Sequence, residues 1–258
     1  MLGKNKIKHL KSLKIKKFRD VYGEFIIEGE KIINELLEHK PYLIKELITT
    51  EQWLANNTNS NIGKIGNIIT VTESDINKIS FFETAGEVMA VLHIKEQKIS
   101  KSEILSDLSL VLDTVQNPGN LGNIIRTADW FGIKNIFCSV NSVDCFNPKV
   151  VQASMGSIIR INVHYMNLKD LLEEYSVISG FHIYGTFLDG PSIYNEVLDN
   201  SAFIILGNES MGISEKYLQY IKSRLYIPKY PVRDNIIESM NISAAAAIVC
   251  SEFRRRRK

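Results

Sequence analysis

The sequence predicts an α/β protein in two parts: a larger C-terminal part on a mostly parallel sheet, and a smaller N-terminal α/β part. From Leu108 onward, short apolar runs alternate with helix-period segments, the pattern of buried parallel strands covered by helices on both faces. Ahead of that, KEQKISKSE, starting at Lys95, is polar, holds three Lys and has no apolar period, which marks a linker. A chain of 258 residues that is 45% apolar has enough material for one large domain or two smaller ones.

The elements follow in order. In KIKHLKSLKIKKF the apolar residues Ile7, Leu10, Leu13 and Phe18 recur at near-helical spacing, so a helix with one basic face is expected. EFIIEG reads as a strand, KIINELLEHK as an amphipathic helix, and GNIITVT and EVMAVLHI as short strands. Past the linker, LSLVLDTV is a buried strand. A helix beginning at Asn120 turns Ile124, Ile125, Ala128 and Phe131 inward and stops at Gly132. NIFCSV is the next strand, and NPKVVQASMG starts a helix with Asn147 as N-cap and Pro148 at its first position. Then come RINVHY, the helix LKDLLEEY, the strands FHIYGTFL and AFIILG, the helix SEKYLQYIKS, a short LYIPKYP and a last helix, ISAAAAIVCSEF.

Charge is placed unevenly. Residues 1–19 hold eight Lys/Arg and no acid, and the tail FRRRRK holds five more; the remainder carries 18 basic against 29 acidic residues. Such basic ends are the footprint of phosphate-backbone binding, with a solvated tail as the alternative for FRRRRK. No apolar run approaches the length of a membrane span, and the basic start is followed by no apolar signal region. Cys138, Cys145 and Cys250 form no CxxC pair, so reduced thiols in a cytoplasmic protein are expected.

In parallel sheets ligands bind at the carboxyl ends of strands. Three loops there are rich in Gly, Asn and Pro: NPGNLG, GNESMG and IPKYPVRDNIIESMN. If they converge, they form a site with many backbone donors and acceptors plus Arg126, Glu209, Ser239 and Asn241. Histidines 9, 39, 93, 164 and 182 all lie outside these loops, which argues against a Ser-His-acid triad and a His-based metal site. Gly119 and Gly122 supply only GxxG, short of a dinucleotide fingerprint, and GxxxxGK[ST] is absent. A fixed cation, a carboxylate, amides and hydroxyls suit a group transfer driven by positioning and electrostatics. Alternative readings stand for single residues: a surface ion pair of Arg126 with Asp129, a helix-start role for Glu209, and N-cap roles for Ser239 and Asn241.

Together VQNPGNLGNIIRTADWFG, ILGNESMG and IPKYPVRDNIIESMNISAAAAI resemble the three signature motifs of the SpoU (TrmH-like) RNA ribose 2′-O-methyltransferases of the SPOUT superfamily. The basic start, FIIEGEKIINELL and ETAGEVMAVL resemble that family's substrate-binding domain, a small α/β module similar to ribosomal protein L30e. The resemblance implies an L30e-like domain over 1–95, a linker over 96–106 and a SPOUT methyltransferase domain over 107–258, with a deep trefoil knot. It implies a homodimer, S-adenosylmethionine as cofactor, and RNA as substrate, with ribosomal RNA favoured over tRNA and neither metal nor membrane involved. A non-catalytic RNA-binding protein on the same fold is the alternative.

Carried over by motif, Asn120 and Arg126 are catalytic residues of the first motif, Glu209 is the carboxylate of the second, and Ser239 and Asn241 belong to the third. The cofactor is expected against Thr186, Leu206, Gly207, Ile227, Ser239 and Met240. Met240 stands where the family usually has Leu, a swap of similar volume.

Overall fold

The computed structural model describes residues 2–57, 59–95, 97–230 and 239–255. Two compact units are present, one formed by Met1–Glu96 with Phe146–Met155, the other by Gln97–Cys145 with Gly156–Lys258.

The first unit begins with α1 (Lys4–Ser12) and α2 (Lys16–Tyr22), so the basic stretch forms two helices rather than one. The reason is Arg19. Its buried guanidinium donates to the carbonyls of Leu13 (2.8 Å) and Lys14 (2.9 Å), consuming orphan acceptors where α1 ends. Next come β1 (Glu24–Glu28), α3 (Glu30–His39), β2 (Ile44–Thr50), α4 (Glu51–Asn56), β3 (Ile68–Val71), α5 (Glu73–Ile79) and β4 (Val88–His93). The strands form one sheet in the order β1-β4-β2-β3, antiparallel except for the β2–β3 pair. Leu10 and Leu13 bury against Ile48, Ile76, Ile79 and Met89. The lysines opposite face water, except that Lys6 pairs with Glu46 and Lys16 with Asp20. Lys4, Lys8, Lys11, Lys14 and Lys17 are the exposed cations left on this stretch.

The second unit runs α6 (Lys101–Ser106), β5 (Leu108–Leu112), α7 (Pro118–Trp130) and β6 (Asn135–Ser139). After α8 (Pro148–Ala153), which clusters with the first unit, it continues with β7 (Asn162–Met166), α9 (Leu168–Ser176), β8 (His182–Ser192), β9 (Ala202–Leu206), α10 (Glu215–Leu218), β10 (Ser223–Tyr226) and α11 (Ile242–Arg255). Its six strands pair in the order β10-β8-β9-β5-β6-β7, every pair parallel. β5 and β9 are buried at every position, as expected of strands covered on both faces.

This order positions the site. The chain leaves β5 toward β6 on one side and leaves β9 toward β10 on the other. Their carboxyl ends therefore open a crevice at a switch in strand order, and Leu112 sits level with Leu206. The knot expected from the resemblance involves the stretch 231–238, which lies outside the described residues. No described helix is long and apolar enough to cross a membrane.

Candidate active site

The first loop is anchored by Asp113, at the end of β5 and 1% exposed. Its backbone N–H donates to the Leu206 carbonyl (2.9 Å), and its carboxylate accepts from the Ser214 N–H (2.8 Å) and the Thr114 hydroxyl (3.0 Å). Thr114 adopts a left-handed backbone (φ +58°), a costly conformation for a β-branched residue. It is held there from both sides: its N–H donates to Ser139 Oγ (2.8 Å), and its carbonyl accepts from Asn208 Nδ2 (2.9 Å). Neither Asp113 nor Thr114 is among the expected site residues. The available signal is an acid ending an otherwise apolar strand.

Asn117 then caps α7, its Oδ1 accepting from the Asn120 N–H (3.1 Å), with Pro118 at the first helical position. The helix thus starts two residues before the expected Asn120. It ends as expected at Gly132 (φ +67°), although Phe131 is half-buried at the C-cap rather than in the core.

GNESMG forms a closed loop. Asn208 and Gly212 exchange two backbone hydrogen bonds of 2.9 Å, and Asn208 Oδ1 accepts from the N–H groups of Ser210 (2.9 Å) and Met211 (3.1 Å). Only glycine fits at 207, because a methyl group there would lie 2.1 Å from the Gly212 carbonyl carbon. Drawn tight, the loop carries the half-buried Glu209 toward α7, where Oε1 accepts from Asn120 Nδ2 at 2.6 Å. This disposes of the helix-start reading of Glu209.

The third segment joins the same amide. Asn241 Nδ2 donates to Asn120 Oδ1 (3.0 Å), while Asn241 Oδ1 accepts from the Ser243 N–H (2.9 Å) and hydroxyl (2.7 Å). Asn241 therefore caps α11 and belongs to the site at once. Both ends of the chain fix its polarity: an ionised carboxylate only accepts, a backbone N–H only donates, and every amide between has a single consistent orientation. Asn120 keeps one N–H and one lone pair for a ligand. Of the expected residues, Asn120, Glu209 and Asn241 meet directly. Ser239 is exposed, with no hydrogen bond to another described residue.

Arg126 is not part of that contact. It lies six residues beyond Asn120, about 9 Å along α7 and about 120° around it. It is exposed and has no ion-pair partner among the described residues. The alternative pairing with Asp129 does not occur, since Asp129 holds Arg160 (2.6 Å). Asn123, Arg126 and Trp130, spaced by three and four, form an open face of α7, and Trp130 is 85% exposed.

The expected cofactor residues line the neighbouring strand ends. Thr186 pairs with Leu225 and lies one residue past the Gly185–Ile205 pair, so Thr186 and Leu206 share a level, while Ile227 is the residue after β10. Thr186 Oγ1 donates to the Ile205 carbonyl (3.2 Å), Ile227 is half-buried and Met240 is 46% exposed. Thr186, Leu206, Gly207, Ile227 and Met240 supply backbone amides and apolar surface without a cationic side chain.

Two of the tail arginines are committed to packing. Arg254 donates to the Phe131 carbonyl (2.7 Å) and Asp107 (2.8 Å), and Arg255 pairs with Glu252. Residues 256–258 of that basic tail lie outside the described residues. Burial pushes the Cys250 thiol up to about 12 and raises those of Cys138 and Cys145 as well, so none is a thiolate nucleophile at neutral pH. Among the described residues, no group of three or more His, Cys, Asp and Glu is placed to hold a metal ion.

Comparison with known proteins gives a consistent picture. The model of the SpoU rRNA methylase family matches residues 107–251, and that of the MRM3-like substrate binding domain matches residues 4–90. The chain is 32% identical over 251 residues, 96% of each protein, to the 23S rRNA (guanosine(2553)-2′-O)-methyltransferase RlmP of Bacillus subtilis. A solved TrmH-family protein from Porphyromonas gingivalis superposes with a TM-score of 0.85 at 38% identity, covering 99% of both chains. An AdoMet-bound rRNA methyltransferase from Sinorhizobium meliloti superposes with a TM-score of 0.83 at 25% identity, covering 100% of this chain and 97% of that one.

Proposed function

Since the chain belongs to the SpoU rRNA methylase family, we propose that it methylates a ribose 2′-hydroxyl of structured RNA, with S-adenosylmethionine as cofactor. The observation that carries this reading is the hydrogen-bond chain joining Glu209, Asn120 and Asn241, one residue from each of the three motifs. Ribosomal RNA is favoured over tRNA because the full-length relative acts on 23S rRNA.

When bound, S-adenosylmethionine would supply an electrophilic sulfonium methyl group. Thr186, Leu206, Gly207, Ile227 and Met240 would hold the nucleoside part through backbone contacts. Asn120, pinned by Glu209 and Asn241, offers its free N–H and lone pair to orient the ribose or the cofactor tail, a task in which the Ser239 hydroxyl would share. A guanidinium is a fork of donors without an acceptor, so the role of Arg126 is electrostatic: it stabilises the developing alkoxide and clamps a neighbouring phosphate.

An exposed Arg126 on the open face of α7, with no ion-pair partner among the described residues, fits a homodimer in which one protomer completes the other's site. The exposed lysines of α1 and α2 fit a grip on the RNA backbone. Three buried, free cysteines fit a reducing, cytoplasmic setting. The test is to map ribose methylations in total RNA with and without the gene, alongside calorimetry with S-adenosylmethionine. A site lost with the gene and restored by the purified protein supports the proposal. Absence of cofactor binding overturns it.

A further inference from the structure

The first unit holds a second concavity. An open cavity of about 620 Å³ is lined by Glu30, Asn34, Trp53, Asn56, Asn57, Asn59 and Glu87. Two carboxylates and no cation stand in this wall, so it repels phosphate and favours a ligand that presents hydrogen-bond donors. Glu30 and Asn34 are one turn apart on α3 and share a face. The Asn34 amide is oriented: its Oδ1 accepts from Asn57 Nδ2 (2.7 Å), which leaves its own N–H groups for a ligand. Asn57 is fixed in turn, its Oδ1 accepting from the Asn59 N–H (3.0 Å). The Glu30 carboxylate has no partner among the described residues. Trp53, also in the wall, is only 3% exposed, yet its indole N–H has no acceptor among the described residues. An unmatched donor of this kind in the wall of a polar cavity calls for an explanation.

We propose that this cavity binds an unpaired guanine of the RNA substrate, an inference that rests on the RNA-methylation reading above. On its Watson–Crick edge guanine presents one acceptor, O6, followed by two donors, N1–H and N2–H. The Asn34 amide matches the acceptor, and the Glu30 carboxylate takes both donors as a bidentate partner. Uracil replaces the last donor with a carbonyl, which would face the carboxylate. Adenine and cytosine lack the pair of adjacent donors. Single-stranded bases of RNA are read in this way, by their edges within a pocket. The exposed lysines of α1 and α2, in the same unit, leave the backbone contacts to another surface.

The chain has two tryptophans, so its spectrum holds two indole N–H signals, and W130F assigns the one from Trp53. Titration with guanosine should shift the Trp53 signal saturably, with adenosine, cytidine and uridine much weaker. E30Q should weaken the guanosine response about tenfold or more, the discrimination expected of one bidentate base contact. Glu30 is exposed at the start of its helix, so E30Q should keep its fold. N34A, which removes the partner of O6, serves as the second variant. No saturable shift, an equal response to all four nucleosides, or wild-type binding by both variants overturns the proposal. Calorimetry with S-adenosylmethionine on the same samples separates the two readings. If only the guanine site is wrong, cofactor binding persists; if the methylation reading is wrong, it is absent.

Discussion

Replacing Asn120 with aspartate tests the hydrogen-bond chain at its centre. In the native chain Asn120 Nδ2 donates to Glu209 Oε1 at 2.6 Å. N120D removes the donor and sets two carboxylates against each other. A hydrogen bond to a charged group contributes roughly 1.5–3 kcal/mol. Two like charges relaxed to about 4 Å cost roughly 1 kcal/mol in a water-like setting and about 4 kcal/mol at the dielectric of a protein surface. Glu209 and Asn120 are half-buried, so the loss should fall between, at about 3–5 kcal/mol in all. The repulsion raises the pKa of one carboxyl of the pair, and its proton then rebuilds the link. A raised folded-state pKa means stability is recovered as the pH falls through it, so N120D should approach the wild type as the pH goes from alkaline to mildly acidic. The double variant N120D/E209Q reverses donor and acceptor while keeping an acceptor for Asn241 Nδ2, and should regain most of the stability at every pH. Thermal unfolding of wild type, N120D, E209Q and the double variant across that range measures this. Wild-type behaviour of N120D at high pH, or a double variant no better than N120D, refutes the contact.

Other consequences follow from the same geometry. R126A should abolish nearly all methylation and R126K should retain a small fraction, because a point charge cannot replace a forked clamp; wild-type turnover by R126A would remove Arg126 from the mechanism. G207A, whose methyl would lie 2.1 Å from the Gly212 carbonyl carbon, should force the loop open and weaken cofactor binding at least tenfold by calorimetry, while far-ultraviolet dichroism stays close to native. Thiol reagents should label none of Cys138, Cys145 and Cys250 until the protein unfolds; fast labelling of the native chain would contradict their burial. RNA affinity should fall steeply with salt, and K8A/K11A should reduce the logarithmic slope by about 0.7 for each phosphate that these lysines neutralise in the wild type.

Much of the C-terminal sheet is legible because buried parallel strands write themselves as apolar runs, as in LSLVL and AFIIL. β2 is not legible in the same way. Its IKELITT carries Lys and Glu between apolar positions, and no Gly, Asn or Asp punctuates either end. The break between α1 and α2 is hidden for another reason. It depends on a buried arginine, and burial of Arg19 cannot be read from its place among seven lysines. In the site, the motif residues Asn120, Glu209 and Asn241 are visible as types and as spacing. Their direct contact is not, because it depends on β5 and β9 being neighbours, a non-local fact. Asp113 and Thr114 escape notice because their role is to hold backbone rather than to face a ligand.

The amide chain bears on the timing of assembly. Asn120 meets a residue 89 positions later and another 121 positions later, the second at the start of the last described helix. A nascent chain therefore exposes α7 long before either partner has left the ribosome, and a fragment that stops short of α11 lacks an anchor that no other described segment supplies. Competence for the methyl donor should arise as one late event in synthesis, so that a prematurely terminated product is silent rather than partly active.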